Sequence, residues 1–196
     1  MTTTVVTDGT WSVTAGYGPT TVLNVVTCNP YGAWSTPFPA GASWIWGSDE
    51  KSTNSSTCLT APAETLTFTQ NFNIGLPQTG TVNIEADNSA EVWVNGHDVG
   101  GTPLHSGYSQ VTSLDVSSAL QAGANTIALV VTNDPYVGDN PAGVVANLTV
   151  TSTLSSTAFC KQGGWMNWQT ATGSPFTNQG DCVSYVVSQG NDPVNG

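Results

Sequence analysis

The chain has 196 residues, enough for one domain of ordinary size with a short appendage, and enough to bury a substantial core. Only 8% of its residues are charged, and 13 Asp and Glu face 2 Lys and Arg, for a net charge of −11. Such a surface repels phosphate backbones and anionic lipid heads, so nucleic acid and membrane surfaces are excluded as partners; no apolar run approaches the ~18 residues of a membrane span.

Along the chain, strand signals dominate and helix signals are scarce. Thr2 to Thr7 is β-prone and reads as an edge strand of its own domain, or as a tail that adds to a neighbour's sheet. Residues 15–63 are rich in Gly, Pro, Ser and aromatics. They read as one strand at Val22 to Val26, followed by a long decorated loop. From Glu64 to Ile74 the pattern alternates, with Leu66, Phe68, Phe72 and Ile74 on one face and Thr65, Thr67, Thr69, Asn71 and Asn73 on the other. Val82, Ile84 and Ala86 repeat that period, as do Ala90, Val92 and Val94. Asn95-Gly96 then supplies the positive φ of a type I′ hairpin turn. Thr126 to Val131 is apolar on both faces and is expected at a sheet centre. Ala142 to Val150 gives a further strand, with Val144, Ala146, Leu148 and Val150 inward. Residues 154–158 read as a linker. In the appendage that follows, Asn178 is placed to cap a short helix running through Val187.

Many short strands with regular turns predict an all-β fold, an antiparallel β-sandwich or jelly roll over residues 1–153, followed by a small disulfide-closed segment over 154–196. Four cysteines allow three pairings. Proximity favours Cys28 with Cys58 and Cys160 with Cys182, each bracketing a loop-rich stretch. The absence of close CxxC spacing argues against a zinc site. Two disulfides place the chain outside the reducing cytosol, secreted or at a cell surface. No basic-then-apolar leader is present. Met1 is therefore expected to open a mature form from which an export signal has been removed. Asn54-Ser55-Ser56 and Asn147-Leu148-Thr149 match the N-glycosylation acceptor pattern.

The segment Cys160-Lys161-Gln162-Gly163-Gly164-Trp165, with Phe176-Thr177-Asn178-Gln179-Gly180-Asp181-Cys182-Val183-Ser184-Tyr185-Val186, resembles a C-terminal segment of many bacterial secreted and surface proteins. It differs from that pattern at Gln162 and Thr177. The resemblance implies export and no particular reaction. The main body carries Trp44-Ile45-Trp46, then Leu66-Thr67-Phe68 and Phe72-Asn73-Ile74, then Ile84 to Gly96 with Asp87-Asn88 and Val92-Trp93-Val94-Asn95-Gly96. Leu114-Asp115-Val116, Gly123-Ala124-Asn125-Thr126-Ile127 and Asn140-Pro141-Ala142-Gly143-Val144 follow. In order and spacing this series resembles the galactose-binding-domain-like jelly rolls that accompany bacterial glycoside hydrolases, α-L-rhamnosidases among them. The resemblance implies loops gathered at one end of a jelly roll, carbohydrate recognition as the commonest role, and often a structural ion.

For catalysis the chain offers little. His97 and His105 are the only histidines and are expected as exposed loop residues rather than a metal pair with Asp98. Glu85 and Glu91 sit in strand patterns, not as a carboxylate pair facing a sugar, so no enzyme activity is expected. Sugar recognition would rest on rings in loop-like segments, Tyr31, Trp34, Tyr108 and Tyr136, with Asn133, Asp134 and Asn140 reading hydroxyls. The loop over 133–140 also offers oxygen ligands, with Asp134 and Asp139 as candidates for a structural calcium ion, though without EF-hand spacing. Two readings follow. One is a non-catalytic carbohydrate-binding or adhesive module whose partner is a glycan. The other is a structural subunit of an extracellular filament or surface array, whose partners are neighbouring copies of itself; an expected completeness without a catalytic domain, a Thr/Asn-rich surface low in charge and the β-prone N-terminal segment favour this second reading.

Overall fold

The computed structural model describes residues 1–15, 22–29, 31–32, 34, 38–48, 58–153, 157–161, 163–170 and 174–189. In it the strands are β1 (Thr2–Val6), β2 (Ser12–Ala15), β3 (Val22–Thr27), β4 (Ile45–Ser48), β5 (Glu64–Ile74), β6 (Leu76–Asp87), β7 (Ser89–Val94), β8 (His97–Gly101), β9 (Thr112–Asp115), β10 (Gly123–Asn133) and β11 (Gly143–Thr153). The strand pairings are antiparallel. One layer runs β8-β7-β10-β5-β2, and the other β4-β11-β6-β9. Strand β3 pairs with β2 on one side and with β4 on the other, so it stitches the two layers together along one flank. At the opposite flank β8 lies against β9. The result is an antiparallel sandwich that is nearly closed into a barrel.

Period-two patterning explains the interior. Leu129 stands opposite Phe68 on one side and Val92 on the other, and Val131 stands between Leu66 and Ala90. From the second layer, Val144, Ala146 and Leu148 pair with Ala86, Ile84 and Val82. All of these side chains are buried, and they form one continuous core with Trp46, Ile127 and Val150. Asn95 at φ 52° and Gly96 at φ 79° make the tight β7–β8 turn. Asn95 is held there by its side chain, since its Nδ2 donates to Asn125 Oδ1 and to the Ala119 carbonyl, each at 2.8 Å.

Four features differ from the sequence reading or sharpen it. The Thr-rich N-terminal segment pairs with β11 of its own sheet over five residues, Thr2 with Thr151 through Val6 with Asn147. Within 15–63 there is a second strand, β4, which pattern alone did not reveal; Ile45 and Trp46 are both fully buried, so no alternation marks it. Asn147 is 5% exposed inside β11, so its glycosylation pattern is not an accessible acceptor; Asn54 lies outside the described residues. Residues 154–156 of the expected linker are also outside them, and 157–160 form a 3-10 turn.

Both disulfides join the cysteines that proximity favours, Cys28 to Cys58 and Cys160 to Cys182. The second closes a separate small cluster of Trp168, Phe176 and Val186, against which Met1, Trp165, Val183 and Tyr185 pack. Its helix α1 (Gln179–Gln189) starts where the cap was expected: Asn178 Oδ1 accepts from the Asp181 amide at 2.9 Å.

Candidate functional site

At one end of the sandwich, the β6–β7 turn, the β10–β11 loop, the β8–β9 loop and part of the β3–β4 loop meet around a cleft of about 340 Å³. That volume is at the lower end of the range for small-molecule sites. The cleft is lined by Tyr31, Asp87, Asn88, Tyr108, Asp134, Pro135, Tyr136, Asp139, Asn140 and Pro141.

Asn88 organises the loops. Its amide donates to the Thr132 carbonyl at 2.9 Å, and its Oδ1 accepts from the Asp134 amide at 2.7 Å. Its carbonyl accepts from the Gly107 amide at 2.8 Å, and the Gly107 carbonyl takes the Ala86 amide at 3.2 Å. Gly107 comes so close that an added Cβ would stand 2.4 Å from Thr102 Oγ1 and 2.8 Å from the Ala86 carbonyl oxygen. The β8–β9 loop is thereby pressed onto the end of β6, which brings Tyr108 to the cleft. His105, at φ 61°, occupies the left-handed region that non-glycine residues rarely adopt. Its ring Nδ1 lies 2.5 Å from Asp134 Oδ2, joining this loop to the β10–β11 loop. His105 therefore meets Asp134 rather than His97 and Asp98.

Asn140 closes the other wall. Its Nδ2 donates to the Asp134 carbonyl at 3.1 Å and the Ala61 carbonyl at 3.3 Å, while its own carbonyl accepts from the Ala61 amide at 3.0 Å. Two residues on, the Ala142 amide donates to the Cys58 carbonyl at 2.8 Å, which ties the Cys28–Cys58 loop to the start of β11.

Asp87 is the electrostatic centre of the cleft. It is 6% exposed, and Trp34 Nε1 donates to its Oδ2 at 2.7 Å. Burial raises its pKa above the ordinary carboxylate value; the Trp34 hydrogen bond opposes that rise, and the charge of Asp134 adds to it. Trp34 is itself fixed by stacking on Trp44, with ring centroids 4.0 Å apart and 20° between planes. Gly143 makes room for the stack: a Cβ there would stand 3.0 Å from each of the two rings.

The structure gathers most of the sequence-predicted residues and separates two. Tyr31, Tyr108, Tyr136, Asp134, Asp139 and Asn140 all line the cleft. Tyr136 is 73% exposed and Tyr31 43%. Trp34, expected as an exposed sugar platform, is instead 5% exposed beneath the cleft, because its ring fills the gap between Trp44 and Asp87. Asn133 lies outside the lining and is buried; its Nδ2 donates to the Pro62 carbonyl at 2.9 Å, and its Oδ1 has no partner among the described residues. Asp87 and Asn88 escaped the sequence reading as site residues because Asp-Asn between two strands also reads as a plain turn. As for calcium, Asp134 and Asp139 share the cleft with Asp87, yet among the described residues no group of three or more His, Cys, Asp or Glu is arranged to hold a metal ion. Glu85 is buried in β6, and Glu91 lies exposed on β7, outside the cleft lining.

Fold and cleft together define an antiparallel β-sandwich with an aromatic and acidic cleft among its end loops. Over 133 residues the chain is 32% identical to an α-L-rhamnosidase of Streptomyces avermitilis, a match covering 66% of this chain and 12% of that enzyme. The crystal structure of a Streptomyces avermitilis α-L-rhamnosidase complexed with L-rhamnose matches with a TM-score of 0.50 at 26% identity, over 67% of this chain and 12% of that one. A family 35 carbohydrate binding module from Clostridium thermocellum matches at a TM-score of 0.41 and 13% identity, over 77% of this chain and 99% of the module. The chain thus spans about an eighth of the rhamnosidase it matches. No family model matches it.

Proposed function

We propose that this chain is a secreted, non-catalytic glycan-binding module, and that the cleft between Tyr31, Tyr108 and Tyr136 is its sugar site. The observation that carries the reading is the composition of the cleft. Three tyrosines stand beside Asp87, Asn88, Asp134 and Asn140 in one concavity. Rings of this kind stack on pyranose faces, and a few fixed polar groups read hydroxyls. The sequence likeness to a segment of a glycoside hydrolase supports the reading, and a match to 12% of that enzyme supports a part without the reaction. Two disulfides support an extracellular setting. In this reading residues 1–153 are the binding body, and 154–196 form a distinct disulfide-closed segment.

A glycan array probed with the full chain tests the proposal, followed by titration of the best ligand against a Tyr31→Ala/Tyr136→Ala variant. Binding that disappears in the variant supports the cleft. Binding that survives there but is lost in Thr67→Glu would place the ligand on the flat outer face of β5 instead. Turnover of any aryl-glycoside, abolished by Asp87→Asn, would overturn the non-catalytic part. The alternative, a filament or array subunit, has less to stand on, since the strand that could have been donated to a neighbour is paired with β11. Particle imaging that finds filaments, together with an empty glycan array, would favour it.

A further inference from the structure

We infer that the cleft selects its sugar by charge: it takes a glycan bearing a protonated amine in preference to a neutral one, and it rejects uronic acids and other acidic glycans. This rests on the glycan-binding reading above and specifies the ligand class of the same site.

The first observation is the charge of the wall. Asp87, Asp134 and Asp139 all line the cleft, and no Lys or Arg among the described residues does. The nearby histidine, His105, directs its Nδ1 to Asp134 Oδ2 from an exposed ring that is not part of the cleft lining. An anionic sugar entering here would meet like charge on several sides, in a concavity where water screens it less than on open surface.

The second observation is independent of net charge. Two side chains more than nine-tenths buried bring unused acceptors to the cleft. Asp87 uses Oδ2 for Trp34, and its Oδ1 receives no hydrogen bond from the described residues. Asn140 directs both bonds of its Nδ2 back into the protein, and its Oδ1 likewise has no donor there. In residues that line the cleft, acceptors without a protein donor are available to a donor on the ligand. The substituents of a sugar differ sharply in what they bring. An ammonium brings three donors, no acceptor and a positive charge; a hydroxyl brings one donor; a carboxylate brings no donor and a negative charge. A wall made of acceptors and carboxylates matches the first of these best.

The third observation concerns the rings. Tyr31 and Tyr136 present exposed aromatic surface at the mouth of the cleft. A π face attracts a cation as well as stacking on a sugar ring. A cation beside Asp87 also stabilises its ionised form, which burial disfavours in the free protein.

Calorimetric titration of the full chain with oligomers of equal length made of glucosamine, N-acetylglucosamine, glucose and glucuronate tests this at physiological ionic strength. Contacts between exposed charges beyond roughly 8 Å are screened there. Glucosamine should bind about tenfold tighter than glucose or N-acetylglucosamine, the ratio set by one charge-assisted contact, and glucuronate should not bind. In Asp87→Asn the glucosamine preference should collapse to about threefold or less, with the melting temperature retained. Asp139→Asn is the second variant, should the first fail to fold, and should also reduce the preference. Glucuronate binding as tightly as glucosamine would overturn the inference, as would a preference that survives both substitutions. If glucose and glucuronate bind and glucosamine does not, the charge inference fails while the glycan reading stands. If no glycan of any charge binds, on this panel or on an array, the glycan reading itself fails and takes the inference with it.

Discussion

At the scale of single residues, Asp87 is held in a state that disfavours its charge. Its folded-state pKa is raised, chiefly by burial. The folded protein therefore prefers the protonated form more than the unfolded chain does. The stability Asp87 contributes is fully present below the ordinary carboxylate pKa of ~3.9 and is lost as pH rises through the raised value. Asparagine at this position cannot ionise, yet its amide oxygen can still accept from Trp34 Nε1. Asp87→Asn should therefore melt no lower than the wild type at pH 7, and the two should converge in acid. Differential scanning calorimetry across that range checks it, and a variant clearly less stable at neutral pH would show the charge to be structural. Gly143 makes a complementary case. A methyl there would press on both Trp34 and Trp44, whose mutual stacking limits how far either can yield. Gly143→Ala should cost roughly 1–3 kcal/mol by overpacking and should loosen Asp87 with it, read as a lower denaturation midpoint and weaker ligand binding.

At the scale of elements, β10 holds the centre of its layer, flanked by β5 and β7 along most of its length. Leu129→Ala should remove about 2–5 kcal/mol through lost transfer energy and the cavity left behind. A loss below ~1 kcal/mol in urea denaturation would mean that the strand is not central. The long strands were legible in the sequence because their two faces meet different surroundings. Leu66 and Phe68 point into the core while Thr65 and Thr67 remain half-buried outside, so alternation follows. Strand β4 was not legible for the opposite reason: Ile45 and Trp46 are buried together, and only pairing with β3 and β11 identifies the segment as a strand. The cleft was legible in part. Aromatic and polar residues in loops pointed to Tyr31, Tyr108, Tyr136, Asp134 and Asn140, but nothing local distinguishes a tyrosine at the mouth from a tryptophan beneath it. Trp34 is buried because Trp44, ten residues on in sequence, lies against it, and that is a tertiary fact.

At the scale of the whole molecule, the two disulfides hold two different structures. Cys28–Cys58 closes the segment that carries Tyr31 and Trp34, and the Cys58 carbonyl fastens that segment to the chain just after Asn140. Cys160–Cys182 sits in a separate cluster built on α1, and Met1 and the adjoining β1 connect that cluster to the sandwich. Replacing each pair by serines should therefore have separable consequences. Cys28→Ser/Cys58→Ser frees a loop of 30 residues and should cost about 3–4 kcal/mol in the chain-entropy picture. It should also weaken ligand binding, because the platform under Asp87 and one tyrosine of the mouth lose their anchor. Cys160→Ser/Cys182→Ser should lower protection of the α1 amides from hydrogen exchange and leave ligand affinity within about twofold of wild type. Melting curves, hydrogen exchange and titration on both double variants separate the cases. Equal losses of affinity would mean that the C-terminal segment supports the cleft. Retained affinity in Cys28→Ser/Cys58→Ser would mean that Trp34 and Tyr31 are positioned by packing alone, and that the ends of β6 and β10 suffice to build the site.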